Sequence, residues 1–319
     1  MANFAITGVA GYIAPRHLKA ITETGNTLVA ALDPHDSVGI LDRFSHNARF
    51  FTEPERFDRH LEKLRRIGEE ERVHWFSICA PNYLHDAHIR MAFRLNANAI
   101  CEKPLVLNPW NLDALQELEA ETGQRVFTVL QLRVHPQILA LRERIRNSHQ
   151  KKKHEIELTY ITPRGPWYLS SWKGNLQRAG GLATNIGIHF FDFLLWIFGE
   201  VNHHEVHIAE EKRTAGFLDL ERANVKWYLS LDEHDSPVKN VDGNSRTYRC
   251  ISIDNEPLEF THGFTDLHTE IYQQTLDGNG FGIDDTRATI NLIHNIRFAN
   301  PIGWQPHSHS MVHSLEEHA

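Results

Sequence analysis

Three things are scarce in this chain of 319 residues: cysteine, long apolar runs and positive charge. The three cysteines, Cys79, Cys101 and Cys250, are odd in number and show no paired spacing. That excludes a disulfide-stapled scaffold and points to buried, reduced thiols in the cytoplasm. No apolar run reaches the roughly 20 residues that a bilayer crossing needs. The richest one, Phe190 to Phe198, is interrupted by Asp192 and reads as a core helix. A basic, apolar leader is missing too, because Phe4-Ala5-Ile6-Thr7 enters a strand directly. With 33 Lys and Arg against 41 Asp and Glu, the formal net charge of -8 argues against nucleic acid or a membrane surface as partner. Histidine, by contrast, is abundant at 22 residues. His203, His204, His307, His309 and His313 raise the question of a metal, but none stands in a recognised ligand frame, so none is expected.

What is present is the composition of two ordinary domains, 41% hydrophobic and 23% charged. Over residues 1–130, short apolar runs alternate with longer amphipathic ones, the pattern of an α/β, doubly wound parallel (Rossmann) sheet. Strands are expected at Ala5–Thr7, Thr27–Leu32, Arg49–Phe51, Trp75–Ile78, Ala99–Cys101 and Val126–Leu130. Helices are expected at Ala14–Thr24, Pro54–Glu69, Tyr83–Leu95 and Pro109–Thr122, the last with Pro109 at its start and Gly123 at its end. Over 131–319 the period changes. A helix at Gln137–Arg146 leads into alternating strands at Glu155–Ile161, Val206–Glu210, Thr214–Leu220, Asn224–Ser230, Thr247–Ile253 and Leu258–Thr261. With helices at His268–Leu276 and Asp284–Ala299, this is an α+β domain with a large open, mostly antiparallel sheet. The segment 301–319 reads as loop.

The chemistry-bearing residues gather at strand ends. Thr7 to Ala14 holds Gly8 and Gly11 between the first strand and a helix, where a backbone must approach a diphosphate. The register is irregular: Val9 falls where the first glycine of a dinucleotide fingerprint belongs, with Gly8 one residue early. Tyr12 and Ile13 complete the turn. Asp33 ends the second strand about 20 residues on, placed to accept the adenosine ribose hydroxyls and to repel a 2′-phosphate, which predicts NAD over NADP. Ala80, Asn82 and His85 follow the fourth strand beside the cofactor crevice, and Asn82 could equally be a helix cap. Glu102-Lys103-Pro104 ends the fifth strand, with Gln131 after the sixth. An ammonium at a buried strand end costs several kcal/mol unless paired or used.

Together, Gly11-Tyr12-Ile13-Ala14, Pro81-Asn82-Tyr83-Leu84-His85, Glu102-Lys103-Pro104 and Gly180-Gly181…Gly187-Ile188-His189 resemble the Gfo/Idh/MocA oxidoreductase family along the whole chain. Ala10 to His17 and Asn185 to Asp192 further resemble its WlbA/WbpB-type subgroup of UDP-N-acetyl-2-amino-2-deoxyglucuronate dehydrogenases. The resemblance implies tetramers built through the open sheets, and 3′-hydroxyl oxidation of the sugar nucleotide with tightly held NAD in bacterial surface-polysaccharide (O-antigen) assembly. For some members it implies 2-oxoglutarate as the acceptor that recycles NADH. The wider family's Asp four residues before the site histidine is Asn185 here, which the subgroup shares. An amide cannot relay a proton.

Oxidising a secondary alcohol requires a proton acceptor, and an imidazole is matched to neutral pH. His189 is assigned as base, Lys103 as the group that hydrogen-bonds the same oxygen, and Asn185 as the residue orienting sugar or histidine; which of Lys103 and His189 is the base stays open. A UDP-uronate carries several negative charges, so cations must be concentrated locally. Arg164, Tyr168, Ser171 and Lys173, in one loop rich in aromatics and turn residues, are assigned to the substrate. Asn244-Ser245-Arg246 is a second candidate, with Arg246 as its cation. A free-sugar or inositol dehydrogenase, and a non-catalytic NAD-binding sensor, are the competing readings; retention of Lys103 and His189 argues against the sensor.

Overall fold

A computed structural model of the chain describes residues 1–148, 152–237, 247–258 and 266–316. The first strands and helices alternate as β1 (Asn3–Thr7), α1 (Ala14–Glu23), β2 (Thr27–Leu32), β3 (Arg49–Phe51), α2 (Pro54–Ile67), β4 (Trp75–Ile78), α3 (His85–Arg94), β5 (Asn98–Cys101), α4 (Pro109–Thr122) and β6 (Val126–Thr128). Further on come α5 (Pro136–Arg146), β7 (His154–Ile161), the short α6 (Trp167–Ser170) and α7 (Leu176–Ala179), α8 (Ile188–Phe198), β8 (Val201–Ala209), β9 (Arg213–Leu220) and β10 (Ala223–Ser230). The chain ends with β11 (Tyr248–Ile253), β12 (Glu256–Pro257), α9 (Leu267–Leu276), α10 (Ile283–Phe298) and α11 (Ser310–Glu316).

The chain divides into two compact units, Met1–Val134 with Phe264–Ile290, and His135–Gly263 with Asn291–Ala319. In the first, six parallel strands lie in the order β3-β2-β1-β4-β5-β6. Topology reverses beside β1, which brings the carboxyl ends of β1 and β4 together, the usual ligand end of such a sheet. The division differs from a single cut after residue 130, because α9 returns to the first unit. Leu267, Ile271 and Tyr272 are spaced to line one helical face and enter the core with Phe4, Ile6, Leu18, Ile21 and Leu28. The return is tied at β6, where Thr128 N–H donates to Phe281 O (2.8 Å), and by buried Arg133, which donates to Asp285 O (2.6 Å).

The second unit's sheet runs β12-β11-β7-β10-β9-β8, with β7 and β10 parallel and its other neighbours antiparallel. Strand β8 begins five residues before the expected Val206, because Val201–Glu205 is a polar edge segment without apolar alternation. The final strand covers Glu256–Pro257, while residues 259–261 of the expected Leu258–Thr261 lie outside the described residues. The expectation of a loop after 301 is corrected by α11: Val312 is buried, and Met311 and Leu315 pack beside it against Ile161, Ala215 and Tyr228. So is the reading of apolar run length. Leu176–Phe198 is long and apolar enough to cross a membrane by length and composition, yet 78% of its apolar window is buried inside the protein, as in a core helix.

Candidate active site

In the first unit, the β1–α1 turn is built around Gly8. Its φ is +78°, and a Cβ there would stand 2.5 Å from the Cys79 carbonyl oxygen and 2.6 Å from Ala80 N. Handedness and contact both demand glycine. Gly8 N–H donates to Leu32 O (2.8 Å), and Gly11 N–H closes the turn on Gly8 O (3.0 Å). Gly8 therefore makes the close approach, while Val9 is wholly buried. Tyr12 is 87% exposed, and Ile13 caps α1 without a side-chain hydrogen bond. The first-turn N–H groups thus receive no cap from Ile13, and a helix start of this kind suits a phosphate.

Asp33 joins this turn from the end of β2. One carboxylate oxygen accepts from Ala10 N–H (3.0 Å) and the other from His35 N–H (2.9 Å). Each oxygen keeps a lone pair for a ribose hydroxyl. These residues fit NAD: Gly8 lets the turn pack against the Cys79–Ala80 backbone at the strand ends, the helix start has no side-chain cap, and Asp33 is held in place by the turn itself.

After β4, Ala80 and Asn82 are buried, and Asn82 opens a 3₁₀ turn rather than capping α3, whose cap position is Leu84. His85 lies between two carbonyls, Nδ1 at 2.7 Å from Pro104 O and Nε2 at 2.9 Å from Ala80 O. Burial pushes its pKa down against the pull of those carbonyls, so the neutral ring donates to one of them at a time. It thereby links the β4 end to the residue after Lys103. The Lys103–Pro104 bond is cis, and Lys103 is half-buried. Gln131 opens a 3₁₀ turn after β6.

Glu102 turns inward. Its Oε1 meets His17 Nε2 (3.0 Å) and His268 Nε2 (3.1 Å), and its Oε2 accepts from Lys103 N–H (3.3 Å). His17 Nδ1 in turn meets Tyr272 Oη (2.8 Å), which meets Ser77 Oγ (2.5 Å). One proton assignment satisfies the whole chain. Ser77 donates to Tyr272, Tyr272 to His17 Nδ1, and His17 and His268 through Nε2–H to a carboxylate. Burial alone would raise the Glu102 pKa; the hydrogen bonds from both histidines outweigh it and hold the carboxyl well below the usual range. Burial pushes His17 down, which keeps it the neutral donor. Neither His17 nor His268 was legible as part of the site; each reads in sequence as an ordinary helix residue, and only the return of α9 gives them a common partner.

In the second unit, the run 181–198 is helical, with a π-helical stretch at Ala183–Gly187 entering α8. Such stretches concentrate at functional sites. Gly181, Asn185 and His189 are partly exposed among buried neighbours, four residues apart, so they form one accessible stripe. Before it, Gly180 takes φ +85° and ends α7, and a Cβ on Gly187 would lie 2.6 Å from Leu229 Cδ1, so the helix packs flush on β10. Asn185 donates its amide to buried Tyr168 Oη. Burial raises the Tyr168 pKa, partly offset by that bond, so Tyr168 stays a neutral hydroxyl.

The loop before the stripe is more structured than its composition suggests. Lys173 Nζ lies over the rings of Trp167 (5.3 Å), Tyr168 (5.9 Å) and Trp172 (5.8 Å). Burial and then Arg164 lower its pKa. Ser171 Oγ donates to Tyr168 O (2.8 Å) and accepts from Lys173 N–H (3.2 Å), so part of its capacity is spent locally. Arg164 is exposed, its guanidinium donating to Pro163 O (3.1 Å). Asn244, Ser245 and Arg246 lie outside the described residues. Thus Tyr168, Lys173 and Asn185 are brought together within the second unit, and Lys103 belongs to the first.

Residues 2–130 match the oxidoreductase family described as an NAD-binding Rossmann fold, and 142–235 match its C-terminal alpha/beta domain. The chain belongs to the Gfo/Idh/MocA oxidoreductase family. It is 52% identical to the WlbA (WbpB) dehydrogenase of Thermus thermophilus, over 97% of this chain and 99% of that one. That protein's structures are complexes with NAD and alpha-ketoglutarate (TM-score 0.92) and with NAD and UDP-GlcNAcA (0.91). Oxidoreductase YteT of Bacillus subtilis is 24% identical over 63% of this chain, and inositol 2-dehydrogenase of Rhizobium meliloti 27% over 39%. Those matches span 47% and 36% of the relatives' own lengths, so this chain matches about half or less of these curated family members.

Proposed function

We propose that this protein is an NAD-dependent dehydrogenase that oxidises the 3′-hydroxyl of UDP-GlcNAcA to the 3-keto sugar nucleotide. The observation that carries the reading is the 52% identity, over nearly the full length of both chains, to an enzyme whose structures hold NAD with UDP-GlcNAcA. Bound NAD would supply the acceptor for the hydride leaving C3′. The chain's own groups handle the remaining proton and charge. His189 accepts the hydroxyl proton, Lys103 donates a hydrogen bond to the same oxygen as alkoxide character develops, and Asn185, held by Tyr168, orients the sugar. Arg164 and Lys173 offer positive charge to the carboxylate and diphosphate, and Ser171 a hydroxyl contact. Asp33 takes the adenosine ribose. Alpha-ketoglutarate, which the Thermus protein binds, is proposed as the acceptor that re-oxidises the reduced cofactor. We place the enzyme in the cytoplasm as a homotetramer serving surface-polysaccharide assembly; its buried free thiols, Cys79 and Cys101, accord with a reducing compartment.

The test is to mix purified protein and NAD with UDP-GlcNAcA, UDP-GlcNAc or myo-inositol, and to follow reduced-nicotinamide absorbance and 3-keto product. Turnover with UDP-GlcNAcA, extended beyond one cycle by alpha-ketoglutarate, is expected. Preference for myo-inositol would replace this substrate by a free polyol.

A further inference from the structure

The histidines of the second unit are not scattered. Strand β8 carries His203, Glu205 and His207 at every second residue, and His307 arrives from the segment before α11. His207 Nε2 and His307 Nε2 both meet Glu205 Oε2, at 3.0 and 2.8 Å, and His203 Nε2 meets Glu205 Oε1 at 3.2 Å. A register shift between Val206 and Ile208 places a bulge at His207, the device by which strands re-aim a side chain. Gly216, which pairs with Val206, permits this, since a Cβ there would lie 2.1 Å from Glu205 O. The His307 ring packs edge-on against Phe217 at 4.9 Å, and Ile302 N–H donates to Val206 O (2.9 Å).

We propose that Glu205, His207 and His307, with His203 as fourth ligand, form a binding site for a divalent cation of the zinc class. Three imidazole nitrogens and a carboxylate are a donor set that zinc takes tetrahedrally. Bonds of about 2.0–2.1 Å separate tetrahedral donors by roughly 3.4 Å, so the contacts of Glu205 with the imidazoles need to open by only a few tenths of an ångström. The Glu205, His207 and His307 donors lie within 4.8 Å of one another, and exposed His203 has to swing in from Glu205 Oε1. The outer contacts suit this. Ser308 Oγ lies 2.9 Å from His207 Nδ1 and already accepts from Gln305 N–H. By turning its hydroxyl hydrogen away, Ser308 accepts from Nδ1–H and leaves the Nε2 lone pair to the ion. The His203 and His307 side chains are 61% and 42% exposed, which gives an entry path, while His207 is buried. The Glu102 cluster differs in access, since His17 and His268 are both buried. An ion at Glu205 would fasten the segment before α11 to the sheet edge.

The full-length protein, stripped with a chelator and dialysed, is titrated with Co²⁺ and then competed with Zn²⁺. One equivalent of Co²⁺ with a tetrahedral visible spectrum, displaced by Zn²⁺, is expected. Zn²⁺ also raises the thermal midpoint, reversibly with chelator. His307→Gln, at a part-exposed position, and Glu205→Gln each weaken binding at least about a hundredfold. Absence of the tetrahedral spectrum, or binding unchanged in both folded variants, means adventitious histidine binding and overturns the site.

Discussion

At the residue scale, the chemistry turns on a few groups whose settings differ. Lys103 is flanked by residues held from behind, Glu102 by His17 and His268 and Pro104 by His85. Lys103→Ala and His189→Ala are each expected to lower kcat at least about a hundredfold while the circular dichroism and melting of the protein stay near wild type. Wild-type rates in both would remove the catalytic assignment. Asp33→Ala is expected to narrow the ratio of kcat/KM for NAD over NADP by about tenfold or more, measured with both cofactors, because the repelling carboxylate is gone. An unchanged ratio would place ribose selection elsewhere. The assignment of Lys173 gains a physical basis from its aromatic surroundings, since a cation desolvated among rings meets an anionic ligand with less water to displace.

At the scale of elements, the β1–α1 turn and the π-helical entry to α8 carry the geometry. Gly8→Ala would combine an unfavourable positive φ with a contact against the Cys79 carbonyl. The expected result is about 1–3 kcal/mol of lost stability and NAD affinity down by at least about tenfold, read by melting and by cofactor titration. Unaltered NAD binding would show that the turn tolerates a side chain. Much of the element structure was legible because its causes are local. Strands β2, β3 and β4 and helix α4 stand at their expected bounds, the strands set by short apolar runs and α4 by proline and glycine at its ends. The start of β8 was not legible, since a polar edge strand carries no apolar alternation. Nor was α11, whose apolar stripe is short enough to pass for loop.

For the molecule as a whole, buried histidines set the response to acid. Burial lowers the pKa of His88 to about 4, with His85 adding to the effect. Its folded pKa lies below the unfolded value, so its contribution is complete above about pH 6.5 and is lost as pH falls towards 4, by up to about 3 kcal/mol. Burial acts in the same direction on His17 and His85. Denaturant midpoints measured between pH 7 and 4 should fall steadily, with net proton uptake on unfolding; a flat profile would show that these rings charge in the native state. The sequence by itself determined the alternation of strands and helices over the first 130 residues, the glycine turn after β1 and the Glu102-Lys103-Pro104 end of β5, because pattern and turn chemistry act over a few residues. Tertiary structure alone decided that Glu102 meets residues 85 and 166 positions away, and Glu205 one 102 away. Such partnerships depend on which segments pack together in space, and nothing in local periodicity records that.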